Sequence, residues 1–192
     1  MVLRGFAAMA FAGLLATPAV AEDAPALVYA PWIKFCLNDT CFIGTDGRSN
    51  ADCPVGVAVV FMERDGDTKK TLRVTLPNRV NLSRGVRIII DQGGAVERPF
   101  GRCFPSGCMA DYEAGAELVD QLKQGQTVVL EAFDKANAPI RLTVPLAGFA
   151  DAYDGPATEP KMRELILTPE LQAKLEREKR EEEERKSRCE AR

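Results

Sequence analysis

No histidine occurs anywhere in the chain of 192 residues. That removes serine–histidine–aspartate and cysteine–histidine catalysis, and with them most catalytic zinc sites, which rely on imidazole ligands. No glycine-rich loop stands between a strand and a helix, as phosphate binding demands, and Gly93-Gly94 reads as a turn. No two cysteines are spaced C-x-x-C, the arrangement in which a helix N-terminus depresses one thiol's pKa. An excess of charge of one sign is missing as well. A net charge of -3 is too small to make nucleic acid or an anionic membrane the expected partner. Beyond the N-terminus no segment approaches the roughly 20 apolar residues of a spanning helix, so no transmembrane segment is expected in the mature chain. No period of about 20–50 residues repeats, which excludes a solenoid. Two carboxylates could still do acid–base work, but nothing in the sequence singles out a pair. The absences point away from an enzyme, and no pattern requires a cofactor.

What is present begins with a leader. The chain opens MVLRGFAAMAFAGLLATPAVAEDAP, with Arg4 as a short positive region, an apolar run from Phe6 to Ala16, and the small-residue site Ala19-Val20-Ala21. Residues 1–21 therefore read as a secretory signal peptide, cleaved after Ala21. The residue directly after that point is Glu22 and not cysteine, so a lipid anchor there is not expected. The mature protein should be exported, to the periplasm or the medium, with attachment to the outer membrane also open.

Export decides how the six cysteines read, because an oxidising compartment favours disulfides. Two pairs share one spacing, CLNDTC at Cys36 and Cys41 and CFPSGC at Cys103 and Cys108. Four intervening residues containing Asn38-Asp39, or Pro105-Ser106-Gly107, can reverse the chain and bring the two Cα atoms within bonding range. C-x4-C also sits at the edge of zinc-site spacing, so a metal clamp is carried as an alternative beside a thiol–disulfide role. Cys53 and Cys189 remain. They could bridge the tail to the body, or Cys189 could pair between chains.

From Leu27 to Phe149 short strands dominate. Leu27–Phe35, Val55–Glu63, Thr71–Leu76, Val86–Ile90, Thr127–Phe133 and Ile140–Val144 are apolar or alternating runs, separated by Gly, Pro and Asn. That spacing predicts an antiparallel sandwich or barrel. One helix is expected in DYEAGAELVDQLKQG, with Ala114, Leu118, Val119 and Leu122 on one face and Gly125 as a C-terminal stop. Asp151–Lys161 reads as a linker. Beyond it Thr168-Pro169-Glu170 starts a helix, with Leu167, Leu171 and Leu175 at helical spacing, after which the sequence is nearly all charge. Glu176–Arg180, Glu181–Arg185, Glu182–Lys186 and Glu184–Arg188 stand four apart in the favourable order, which biases a solvated helix.

The run from Trp32 through Cys36 and Cys41, LRVTLPNRVNLSRGVRIIIDQG, FGRCFPSGCMADYEAGAELVDQLKQG and LTVPLAGFADAYDGP resembles the invasion associated locus B (IalB) family of alphaproteobacteria over Trp32 to Gly155. The resemblance implies an exported domain with an immunoglobulin-like β-sandwich, and places Cys36, Cys41, Cys103 and Cys108 at the family's cysteine positions. It supplies no catalytic residues. The sequence departs from the family pattern at LPNRV and in the charged tail, so a role in host invasion does not follow directly. The expected organisation is a leader (1–21), an IalB-like all-β domain with one short packed helix (22–155), and a linker with a charged helical extension (156–192). The expected role is non-enzymatic binding of an envelope or host protein. Trp32 is expected in the core. Thiol–disulfide or metal handling, and scaffolding through the tail, are the alternatives.

Overall fold

Lys70–Leu76 shows how the sequence builds the protein. Leu72, Val74 and Leu76 are fully buried, whereas Thr71, Arg73 and Thr75 between them keep partial access to water. The same period of two recurs in Gly56–Arg64 and Gly107–Ala114, so each strand offers one apolar face that must be covered. The computed structural model describes residues 27–49, 56–158 and 169–190. The strands are β1 (Leu27–Tyr29), β2 (Ile33–Leu37), β3 (Thr40–Ser49), β4 (Gly56–Arg64), β5 (Lys70–Leu76), β6 (Val86–Ile90), β7 (Val96–Arg98), β8 (Arg102–Phe104), β9 (Gly107–Ala114), β10 (Thr127–Phe133) and β11 (Pro139–Pro145). The helices are α1 (Ala116–Gln124), α2 (Phe149–Asp154) and α3 (Pro169–Glu190).

A seven-stranded sheet runs in the order β1-β3-β4-β5-β9-β8, with β2 also paired to β3, and a four-stranded sheet runs β11-β10-β6-β7. All the pairings are antiparallel. The chain changes sheet after β5, β7 and β9, and one apolar cluster draws on both sheets. This is the expected antiparallel β-sandwich, with more strands in each sheet than an immunoglobulin constant domain has. Two aromatic donors cross between the layers. The Tyr112 hydroxyl of β9 donates to the Val86 carbonyl of β6 at 2.8 Å, and Trp32 Nε1 donates to the Pro145 carbonyl of β11 at 2.9 Å.

Several local readings are corrected. The expected strand Leu27–Phe35 is two strands, because Pro31 has no N–H to donate and interrupts the edge. Asp111–Ala114 belong to β9 and not to the helix: β5 pairs with them, Tyr112 and Ala114 point into the core, and α1 begins only after Gly115. Gly125 ends α1 in an extended conformation (φ -75°) and not in a left-handed one. A glycine suits it because a Cβ would lie 2.7 Å from the Gln121 carbonyl oxygen and 2.9 Å from Ile90. Asp151–Asp154, expected in a linker, form part of α2, since Phe149 and Tyr153 pack against the core. β3, β7 and β8 carry no clear alternation in the sequence and were not foreseen. The leader, the N-cap Thr168 and the pairing of Cys53 with Cys189 lie outside the described residues.

Two expected outcomes test this architecture. Tyr112→Phe leaves the Val86 carbonyl buried without its donor and should cost about 1–3 kcal/mol, read as a lower urea midpoint with an unchanged slope. Asp91, in a left-handed conformation (φ 50°) at the end of β6, accepts from the amides of Thr127 and Gln126, and these bonds hold its pKa below the ordinary 3.8. A carboxylate lowered in the folded state stabilises above its unfolded pKa and loses that contribution as pH falls through the folded one. Stability should therefore decline as pH falls below about 4, and the decline should be shallower in Asp91→Asn.

Candidate functional site

The first cysteine pair closes a hairpin whose two faces differ in chemistry. β2 and β3 pair with Cys36 opposite Cys41, Phe35 opposite Phe42 and Ile33 opposite Gly44, around the turn Asn38-Asp39. Asn38 takes the positive φ (54°) that the tight turn needs and that Asn tolerates. Cys36 and Cys41 are disulfide-bonded, with Cα atoms 4.0 Å apart, a directly cross-strand placement. The bridge and Lys34 occupy the core-side face. Ile33, Phe35 and Leu37 occupy the other.

That outer face is apolar and continues across the sheet. The Phe35 and Phe42 rings stack with centroids 5.1 Å apart, and Met62 of β4 stands opposite Phe42 in register. In the next row Val60 leans over Gly44, whose missing side chain leaves room for it: a Cβ there would lie 3.2 Å from Val60 Cγ2. Ile33 is 52% exposed and Leu37 55%. A patch of large apolar side chains on one sheet surface is what a protein–protein contact uses. Beside it the Arg73 guanidinium makes a two-pronged ion pair with Asp111 across β5 and β9, which holds the Asp111 carboxyl below the usual carboxylate range.

On the core side, Lys34 reaches α2. Its Nζ donates to the Tyr153 carbonyl at 2.8 Å and the Gly155 carbonyl at 3.4 Å, where the helix presents free carbonyls and the negative end of its dipole. Lys70 Nζ donates to the Tyr153 hydroxyl at 2.6 Å and pairs with Glu63 at 3.1 Å; these partners, the hydroxyl first, raise the lysine's pKa. Lys123 of α1 pairs with Asp154 at 2.7 Å. Phe149 and Tyr153 pack edge-on against Phe61, and Trp32 meets Phe149 at 5.0 Å. The chain leaving α2 then lies along β2: the Thr158 amide donates to the Lys34 carbonyl at 2.7 Å.

The second cysteine pair is elsewhere. Cys103 and Cys108 are bonded opposite each other in the β8–β9 hairpin. Gly107 has φ +145°, and a Cβ there would lie 2.5 Å from the Leu76 carbonyl oxygen, so the turn must end in glycine. Phe104 is exposed at its tip. β5 starts level with the first hairpin's end of the sheet and finishes at Leu76, opposite Cys108, so the two hairpins occupy opposite ends and opposite edges. They do not converge on one site. Among the described residues no group of three or more metal-ligating side chains comes together, and no helix is long and apolar enough to cross a membrane. Sequence reasoning identified both cysteine pairs but missed the outer face, because its six apolar residues come from three strands and β3 was not recognised.

The molecule is thus an antiparallel β-sandwich protein with two disulfide-closed edge hairpins. Residues 32–157 match the family model described as Invasion associated locus B (IalB) protein, and the chain belongs to that family. Two proteins of Brucella abortus, from strain 2308 and from biovar 1 strain 9-941, each described as an invasion protein B homolog, are 24% identical over 130 residues, 66% of this chain and 75% of theirs. The crystal structure of invasion associated protein b from Bartonella henselae superposes with a TM-score of 0.57 at 24% identity, covering 66% of this chain and 91% of that one, and shows the same fold.

The Cys36–Cys41 bridge closes only a short loop, so the pair of substitutions Cys36→Ala and Cys41→Ala should cost about 2 kcal/mol. Denaturant unfolding checks the magnitude, and hydrogen exchange should show the loss as faster opening of β2.

Proposed function

We propose that this is an exported, non-enzymatic binding protein of the bacterial envelope. Residues 1–21 would be its cleaved leader, 22–155 its recognition domain and 156–192 a linker and charged tail. The observation that carries the reading is the apolar outer face of Ile33, Phe35, Leu37, Phe42, Val60 and Met62, presented by a hairpin that a disulfide holds in shape. Preorganisation of this kind lowers the entropic cost of association. The partner class is an envelope or host protein, and a connection to host-cell invasion comes from the names of the relatives.

Thiol–disulfide chemistry has less support. Cys36, Cys41, Cys103 and Cys108 are all bridged between neighbouring strands, away from any helix N-terminus.

Ile33→Asp with Leu37→Asp places two charges on the face without touching the core. Capture of the partner from native envelope extract should fall about tenfold or more, while the urea midpoint moves by no more than about 0.5 kcal/mol of stability. Undiminished capture by the folded variant rejects the outer face as the recognition surface.

A further inference from the structure

We propose that residues 155–158 guard the outer edge of β2, and that their release lets β2 pair antiparallel with β2 of a second copy of this chain. This self-association does not depend on whether the outer face binds another protein.

The backbone of β2 divides into two sets of groups. Cys36 stands opposite Cys41 with Cα atoms 4.0 Å apart, the close spacing of a non-hydrogen-bonded pair. The ladder bonds to β3 therefore belong to Ile33, Phe35 and Leu37, and the amides and carbonyls of Lys34 and Cys36 point away from β3. The Lys34 carbonyl fits this alternation, since it accepts from the Thr158 amide at 2.7 Å. Among the described residues that is the one main-chain hydrogen bond between residues 155–158 and β2, and Pro156 has no N–H to add another. The ammonium of the same lysine donates to the Tyr153 carbonyl at 2.8 Å and to the Gly155 carbonyl at 3.4 Å. One residue thus fastens the guard, through its side chain and through its carbonyl. Covering a sheet edge with a loop is a usual defence against edge-to-edge pairing.

Self-complementarity identifies what the guard keeps out. A two-fold axis at Phe35 would bring the outward backbone groups of Lys34 against those of Cys36 in the second copy, and the reverse. That register sets Phe35 against Phe35 and Ile33 against Leu37 across the junction, apolar pairs of the kind that stabilise a sheet. Ile33 and Leu37, 52% and 55% exposed, would each lose part of that exposure. No like charges meet, because Lys34 faces a bridged cysteine and not a second lysine. The two seven-stranded sheets would become one continuous sheet, with their apolar outer faces joined.

Sedimentation of the full chain tests this against two variants. Lys34→Met keeps the aliphatic stem and removes the ammonium, and Thr158→Pro removes the amide donor at an exposed position. At about 100 μM the parent should be monomeric, and each variant should self-associate about tenfold more tightly or better. In the dimer the amides of Lys34 and Cys36 should exchange about tenfold more slowly than in the parent, which stacking of two outer faces would not cause. Adding Ile33→Asp and Leu37→Asp to Thr158→Pro sets carboxylates opposite one another and should restore the monomer. Thr158→Pro alone decides the matter if Lys34→Met does not fold. A monomeric Thr158→Pro variant overturns the proposal, as does a parent already dimeric at the same concentration. So does a dimer that survives the aspartates or leaves exchange at Lys34 and Cys36 unchanged.

Discussion

The two sheets are held in register by hydrogen bonds from the tips of buried aromatic side chains. Tyr112 and Trp32 fill the space between the layers and each ends on a backbone carbonyl of the opposite sheet, at Val86 and at Pro145. Apolar contact is non-directional and would tolerate sliding of one sheet over the other. A buried donor is not so tolerant, because a shift of an ångström or two leaves both it and its carbonyl unpaired in a low-dielectric interior. Desolvation accordingly holds the Tyr112 hydroxyl in its protonated form, well above the usual phenol range. The two bonds lie at different flanks, one between β9 and β6 and the other from the β1–β2 break to β11, so together they resist rotation as well as translation.

With the layers fixed, one end of the sandwich acquires a plug. Phe149 and Tyr153 of α2 enter between the sheets, and lysines from β2, β5 and α1 gather around Tyr153, the nearest 4.7 Å from its ring centroid. Each ammonium also meets a carboxylate, a phenol or a helix-end carbonyl, so burial of their stems leaves no unpaired charge. β2 thus serves two purposes, dictated by the period of a strand. Lys34 and Cys36 face inward to α2 and the disulfide, and Ile33, Phe35 and Leu37 face outward to form the exposed patch. The exposed apolar face and the anchor for the chain leaving α2 share the five residues of β2.

Both disulfides play the same structural part at distant corners. Each joins residues directly opposite on the two arms of a tight hairpin, at an edge of the seven-stranded sheet. Edges are where strands fray and where unwanted pairing begins, and a covalent cross-link there keeps the arms together. What the hairpins present differs: an extended apolar face at the first, a single exposed phenylalanine at the second. Family membership accounts for the shared sandwich, whereas the charge-rich run after Leu175 lies beyond residue 157, where the family match stops.

The sequence by itself determined the fold class, because alternation in Lys70–Leu76 and the β-branched runs in Val86–Ile90 and Thr127–Phe133 are local properties that no distant contact overrides. It also located the hairpin cysteines, since spacing and turn residues constrain closure within six residues. Helix α1 was legible only in part: Asp111–Ala114 satisfy a helical pattern as well as a strand pattern, and the presence of β5 alongside decides between them. β3 was illegible because Gly44 and Gly47 erase its alternation; they are small where Val60 and Tyr29 from neighbouring strands cover the backbone, a fact about partners and not about β3. α2 was hidden for the same reason, its six residues depending on Trp32, Phe61 and three lysines contributed from elsewhere. The outer face could arise only in three dimensions. Strand order alone places Ile33, Phe42 and Val60 side by side, since residues far apart along the chain become neighbours through hydrogen bonds between strands.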